Sequence, residues 1–215
     1  MRISHLGHAC LLIETDAAVV LIDPGVYSTG FESRSDLDAI LLTHQHPDHV
    51  DPDRLAQLLE ANSSARLLAE PETVAKLELD SAAPLAAGER AEIGDLLVQA
   101  VGGKHARNHD QVPPLGNVGF LLQVDGGPLV FHPGDSYDEA PPDIEVLALP
   151  LNAPWARMSE TLQFLRAVAS SIAIPIHDGL LNDAGRSAYL MHIERFGPRS
   201  TQLRDLADGS ELELR

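Results

Sequence analysis

The chain has 215 residues, 44% of them hydrophobic, enough for one domain with a sizeable core. Its formal charge of −17, from 32 acidic against 15 basic side chains, repels phosphate backbones and argues against a nucleic-acid partner. No apolar run approaches the ~20 residues of a membrane span, and the N-terminus lacks the apolar core of a secretory signal. A single cysteine, Cys10, forbids an internal disulfide framework and fits a reducing cytoplasm; it reads as a buried strand residue rather than a nucleophile.

Taken in order, residues 2–6, 10–14 and 18–22 are short apolar segments that predict an opening β-meander. Ile22-Asp23-Pro24-Gly25 ends the third strand in a turn, and Ala39–Leu42 is a short buried strand. The Asp51-Pro52-Asp53 cluster reads as the opening of a loop, and Arg54–Glu60 has helical periodicity. A strand over Ala65–Ala69 and a helix over Pro71–Leu79 follow, then a strand over Ile93–Val101 broken by Gly102-Gly103. Val118–Val124 and Pro128–Phe131 predict a hairpin around Asp125-Gly126-Gly127. Beyond it come a strand at Glu145–Leu149, a helix at Ser159–Val168 capped by Ser159, and a strand at Ile172–Ile176. Last are a helix at Asp183–Phe196 and a polar/apolar alternation at Glu211–Leu214. There is no repeat, linker or composition break, so residues 1–215 are expected to form one domain. Early strands with interspersed helices suggest two sheets packed face to face with helices outside.

The chemistry concentrates at Thr43-His44-Gln45-His46-Pro47-Asp48-His49, which follows the strand at 39–42. Three imidazoles and a carboxylate in so short a loop are poorly explained by packing, and suit zinc, iron or manganese. His44 and His46 lie two apart and so project the same way from extended chain, while Asp48 and His49 follow where it turns. One ion would rarely take all four groups; two ions about 4 Å apart could share them.

His44-Gln45-His46-Pro47-Asp48-His49 resembles the HxHxDH signature of the metallo-β-lactamase superfamily. That resemblance implies a four-layer αββα sandwich over essentially the whole chain. It also implies one metal site from His44, His46 and His105 and a second from Asp48, His49 and His177. Asp135, in Phe131-His132-Pro133-Gly134-Asp135-Ser136, resembles the family's Gly-Asp motif and would bridge both ions. Taken alone, that dipeptide reads as an ordinary turn. His109 competes with His105 as third ligand of the first site; His105 stands nearer the strand end. By the same resemblance Asp23 would orient a ligating imidazole, where turn chemistry alone makes it a cap. His5-Leu6-Gly7-His8-Ala9 resembles the compact hydrolases related to L-ascorbate-6-phosphate lactonase, with His8 reaching the substrate and His5 packing on the strand. His132 is expected to be structural or to support a ligand, and His192 to lie on the surface.

The implied activity is hydrolysis. Two divalent cations, zinc first and manganese or iron as alternatives, lower the pKa of a water and so supply hydroxide near neutral pH. Asp48 and Asp135 would hold that nucleophile, and a small ester, lactone, amide or phosphodiester would be cleaved. Water, His8 or the unused member of the 105/109 pair would protonate the leaving group. Residues 151–157 form the candidate substrate wall. There Trp155 offers a flat apolar face and Arg157 a partner for phosphate or carboxylate, or both simply pack and solvate. The rivals are a mononuclear iron oxygenase acting on thiols or persulfides on the same fold, and a non-catalytic metal-binding protein.

Overall fold

Runs of four apolar residues rich in Val, Ile and Leu are too short for helices and pair readily as strands. In the computed structural model, which describes residues 1–214, the first half of the chain gives β1 (Arg2–His5), β2 (Leu11–Glu14), β3 (Val19–Ile22), β4 (Ala39–Leu42), α1 (Pro52–Ala61), β5 (Arg66–Ala69), α2 (Pro71–Lys76) and β6 (Ala82–Pro84). The second half gives β7 (Arg90–Ile93), β8 (Leu96–Gly102), β9 (Val118–Val124), β10 (Val130–His132), β11 (Val146–Pro150), α3 (Met158–Val168), β12 (Ile172–Ile176), α4 (Asp183–Phe196), β13 (Gln202–Leu203) and β14 (Glu211–Glu213).

Two seven-stranded sheets result, ordered β14-β1-β2-β3-β4-β5-β6 and β13-β12-β11-β10-β9-β8-β7. Each is antiparallel in one part and parallel in the other: β3 to β6 run parallel, as do β10 to β13. Alternation splits the apolar side chains between two faces. Ile3, Leu11, Ile13, Val20, Ile22 and Leu41 meet Val98, Phe120, Val130, Val146 and Ile174 of the other sheet in one core. Their neighbours Leu12, Leu21, Ile40 and Leu42 face outward, under Leu55 and Leu58 of α1. Phe131, Leu147 and Leu149 face Leu162, Phe164 and Leu165 of α3 and Ile193 of α4. Helix, sheet, sheet, helix is the αββα sandwich.

Several boundaries differ from expectation for local reasons. Asp51-Pro52-Asp53 opens α1 rather than a loop, because the Asp51 carboxylate accepts from the N–H groups of Asp53 and Arg54, both at 3.1 Å. The cap of α3 is Arg157, not Ser159: the helix starts at Met158, and Glu160 Oε2 accepts the Arg157 N–H at 3.1 Å. The single strand expected over 93–101 is a hairpin of β7 and β8 turning at Gly94. Helix α2 stops at Lys76, and Cys10 is buried one residue before β2. Strands β6 and β13, of three and two residues, are too short to leave a pattern in sequence.

Strands β1, β3 and β4 point the same way, as do β8, β10, β11 and β12, so their carboxyl ends share a rim. The two sheets are tied there by the Val118 N–H donating to the Thr43 carbonyl at 3.0 Å. Residues just beyond those strand ends therefore meet.

Candidate metal centre

The rim is built around Asp23, fully buried just after β3. Its Oδ1 accepts the Thr43 N–H at 2.8 Å, and its Oδ2 accepts the Thr43 hydroxyl at 2.6 Å and His49 Nδ1–H at 2.7 Å. One carboxylate thus aligns the end of β4 with an imidazole six residues further on. Gly25 lets the loop close, since a Cβ there would stand 1.9 Å from the Asp48 carbonyl oxygen. Among the described residues, three of the six non-glycine residues with left-handed backbone, His8, Asp23 and His177, lie at this rim, with φ of 50°, 49° and 56°. Such conformations cost of order 1–3 kcal/mol each and cluster where side chains must be aimed.

Two groups of donors form. His44, His46, His105 and Asp135 bring one potential ligand atom each within 4.8 Å of one another, and so do His8, Asp48, His49 and His177. Asp135 lies between them. Its Oδ1 is 3.0 Å from His49 Nε2 and 3.1 Å from His177 Nε2; its Oδ2 is 3.3 Å from His105 Nε2 and 4.0 Å from His44 Nε2. His177 Nε2 is also 3.6 Å from Asp48 Oδ2. His109, by contrast, is exposed, and its Nδ1 accepts the Gln111 N–H at 3.3 Å.

Hydrogen bonds on the far side of each ring fix where its lone pair points. His177 Nδ1–H donates to the Asn152 carbonyl at 2.6 Å, and His105 Nδ1–H to the Ala106 carbonyl at 2.5 Å. His49 Nδ1–H donates to Asp23. The Thr43 hydroxyl, having donated to Asp23, accepts His44 Nδ1–H at 3.0 Å. All four rings thus turn a bare Nε2 toward Asp135, while His46 turns Nδ1 to 3.1 Å from His44 Nε2.

Burial, then the neighbouring imidazoles, push His44 well below the usual histidine range, and burial with His105 lowers His46. Burial also opposes charge on His49 and His177, yet the Asp135 carboxylate outweighs it and raises both, with Asp23 assisting at His49. Burial works against ionised Asp135 as well, but His49 and His177 hold it well below the carboxylate range. Asp48 is likewise held low against burial, chiefly by the hydrogen bond from His8. A potential that favours protons on two buried imidazoles favours a cation in the same place.

A metal fits these residues. Of eight buried side-chain nitrogens and oxygens without a hydrogen-bond partner among the described residues, four are His49 Nε2, His105 Nε2, Asp135 Oδ1 and His177 Nε2. Buried polar atoms normally find partners, and with the rings neutral these four face one another as lone pairs, an arrangement that a cation would satisfy. Imidazole nitrogens with two carboxylates suit zinc, manganese or iron.

Beside the centre lies a cleft of about 1410 Å³ whose inner end is Gln45, His46 and His105. Trp155 lines it, packs edge-on to Tyr137 with centroids 4.8 Å apart, and donates Nε1–H to Asp135 Oδ2 at 2.8 Å. Arg157 does not line it. Its side chain is 81% exposed and pairs with Glu160, which does line the cleft, at the start of α3. The cationic groups that do line the cleft are Lys76, Lys104 and Arg107. Sequence reading passed over the lysines, although they are the chain's two lysines, because they stand 28 residues apart on different elements. It also missed Asn117, whose Oδ1 accepts the Asp135 N–H at 2.9 Å and whose Nδ2 donates to the Pro133 carbonyl at 3.0 Å. His132 is buried and donates Nε2–H to the Ala9 carbonyl at 2.8 Å, and His192 is exposed.

Two mixed sheets between helices, with a histidine–aspartate centre on the rim, define a protein of the metallo-β-lactamase fold. The model of the beta-lactamase superfamily domain matches residues 2–177, and the chain belongs to that superfamily and to its UPF0173 metal-dependent hydrolase family. It is 31% identical over 198 residues to a UPF0173 metal-dependent hydrolase of Carboxydothermus hydrogenoformans, covering 82% of this chain and 84% of the relative. It is 42% identical over 190 residues to the protein Rv0786c of Mycobacterium tuberculosis, covering 88% and 89%. The metallo-beta-lactamase fold protein YhfI of Bacillus subtilis superposes with a TM-score of 0.75 at 13% identity over 99% of both chains, a likeness of fold. Among the described residues no helix is long and apolar enough to cross a membrane.

Proposed function

We propose that this chain is a hydrolase that works with two divalent cations, zinc first, on a small ester, lactone, amide or phosphodiester bearing an anionic group. One observation carries the reading: Asp135 turns one oxygen toward His49 and His177 and the other toward His105 and His44, with bare imidazole nitrogens facing both. His44, His46, His105 and Asp135 would hold one cation; Asp48, His49, His177 and Asp135 the other. Bound there, the cations supply a nucleophile from water near neutral pH and offset charge developing on the substrate oxygen.

The chain's own groups do the rest. Asp23, Thr43, Asn152 and Ala106 hold the imidazole rings, and Trp155 with Asn117 holds Asp135. Solvent enters through the cleft and is available to protonate the leaving group. Lys76 and Lys104 are exposed there, and neither side chain makes a hydrogen bond or ion pair among the described residues. In a chain of charge −17 they favour an anionic substrate group over a cationic one. The Gly7-His8-Ala9 segment keeps lactones of the L-ascorbate-6-phosphate lactonase type among the candidates. The whole of residues 1–215 would act as one domain, in a reducing, cytoplasmic setting consistent with one buried cysteine.

Elemental analysis of protein purified without added metal, followed by ester, lactone and phosphodiester panels, tests this. Two ions per chain with turnover support it, and Asp135→Ala should then weaken both ions and abolish hydrolysis while Asp138→Ala does little. One iron per chain with thiol or persulfide oxidation instead would replace it with the oxygenase.

A further inference from the structure

We infer that His8 is a positioning residue: it donates Nε2–H to Asp48 and so aims that carboxylate, rather than binding a cation or handing a proton to substrate. This rests on the metal-dependent reading above. Distance alone leaves His8 as a ligand, since it belongs with Asp48, His49 and His177 in one group of neighbouring donor atoms. The other ring nitrogen decides. The Gly179 N–H donates to His8 Nδ1 at 3.0 Å, so Nδ1 carries a lone pair and the proton of the neutral ring sits on Nε2. Nε2 stands 3.1 Å from Asp48 Oδ2. A nitrogen already bearing hydrogen has no lone pair for a metal.

The contrast with the neighbouring rings is direct. Within the two donor groups, His44, His49, His105 and His177 each turn Nδ1 to an acceptor, whereas His8 turns it to a backbone donor. Its side chain is fully buried behind the centre, and the cleft reaches the centre at His46 and His105 without touching it. A leaving group in the cleft is thus out of its reach. The segment is also clamped. The His8 carbonyl accepts the His177 N–H at 2.8 Å and His5 Nε2–H at 2.8 Å, and the ring lies against His177 with centroids 4.0 Å apart. Gly179 permits the approach, because a Cβ there would stand 3.0 Å from His8 Nδ1 and 2.8 Å from Tyr27 Cβ. Left-handed His8 and His177 backbones, linked by that 2.8 Å bond, therefore place one donor on Asp48 and one lone pair on the second cluster.

Two-bond proton–nitrogen correlation spectra of the zinc-loaded, 15N-labelled protein read the tautomer without any substitution. The expected spectrum has His8 protonated at Nε2 and bare at Nδ1. A zinc-bound Nε2, a proton on Nδ1 or a doubly protonated ring each overturns the inference. Zinc titration against a chromophoric chelator then separates the roles. His8→Ala should weaken the second ion by about 10–100-fold, the usual loss for a group behind a ligand. His8→Gln should recover most of it, because its amide Nε2 lies as many bonds from Cβ and carries a hydrogen. Complete loss of that ion from both variants makes His8 a ligand, and unchanged affinity in His8→Ala removes the positioning role. A wild type that takes no second ion defeats the binuclear reading, while the spectrum still reports the His8 tautomer.

Discussion

The indole N–H of Trp155 donates to Oδ2 of Asp135 at 2.8 Å, joining the loop after β11 to the carboxylate that lies between the two donor clusters. That oxygen is the one facing His105 and His44. Trp155→Phe would keep an aromatic face toward Tyr137 and remove only the donor. Metal content should stay near wild type while turnover falls about 10–100-fold, as for groups that orient a ligand. Wild-type kcat in Trp155→Phe, with metal measured on the same sample, would reduce Trp155 to a wall of the cleft.

His105 and His109 separate cleanly by position. His105→Ala removes a nitrogen 3.3 Å from Asp135 and should strip the cation held with His44 and His46. His109→Ala alters an exposed ring and should leave metal content and stability within about 0.5 kcal/mol of wild type. Parallel metal analysis of the two variants checks this, and metal loss confined to His109→Ala would reverse the assignment.

The lysines make a prediction about selectivity. Charge-assisted hydrogen bonds contribute roughly 1.5–3 kcal/mol, so Lys76→Ala with Lys104→Ala should raise KM at least about tenfold for an ester with a distal carboxylate. For the matched neutral ester KM should stay the same. Equal changes for both esters would show that the lysines only solvate the rim.

Away from the centre, Arg186 of α4 bonds Asp205 through both terminal nitrogens, at 2.6 and 2.7 Å, and reaches Asp178 with Nε at 2.7 Å. The hydrogen bond from Arg186 is the main reason the Asp205 carboxyl lies below its ordinary value. A lowered carboxyl pKa stabilises the fold above the unfolded value of about 3.9, and that contribution disappears as pH falls through the folded value. Asp205 is partly exposed, so the effect is small, about 1 kcal/mol or less. Asp205→Asn should therefore lower Tm by about 2–4 °C at most near pH 7, the gap closing below pH ~3. A gap that persists unchanged in acid would assign the loss to packing instead.

The local part of this site was legible in the sequence because its groups are neighbours along the chain. His44, His46, Asp48 and His49 fall in six residues after an apolar strand, and the resemblance that this segment carries extended the expected site to Asp135 and His177. Short apolar strands arriving early, with interspersed helices, also suggested two packed sheets with helices outside. Only the tertiary structure decided what depends on distant partners. Gly179 lies 171 residues from the His8 ring it orients, and Trp155 20 residues from Asp135. Lys76 and Lys104 meet in one cleft because α2 and the loop after β8 border the same rim. Arg157, expected on the substrate wall, stands exposed at the start of α3 and pairs with Glu160. Residue type limits which bonds a side chain can make, but proton position and direction are set by whatever the fold brings to its other side.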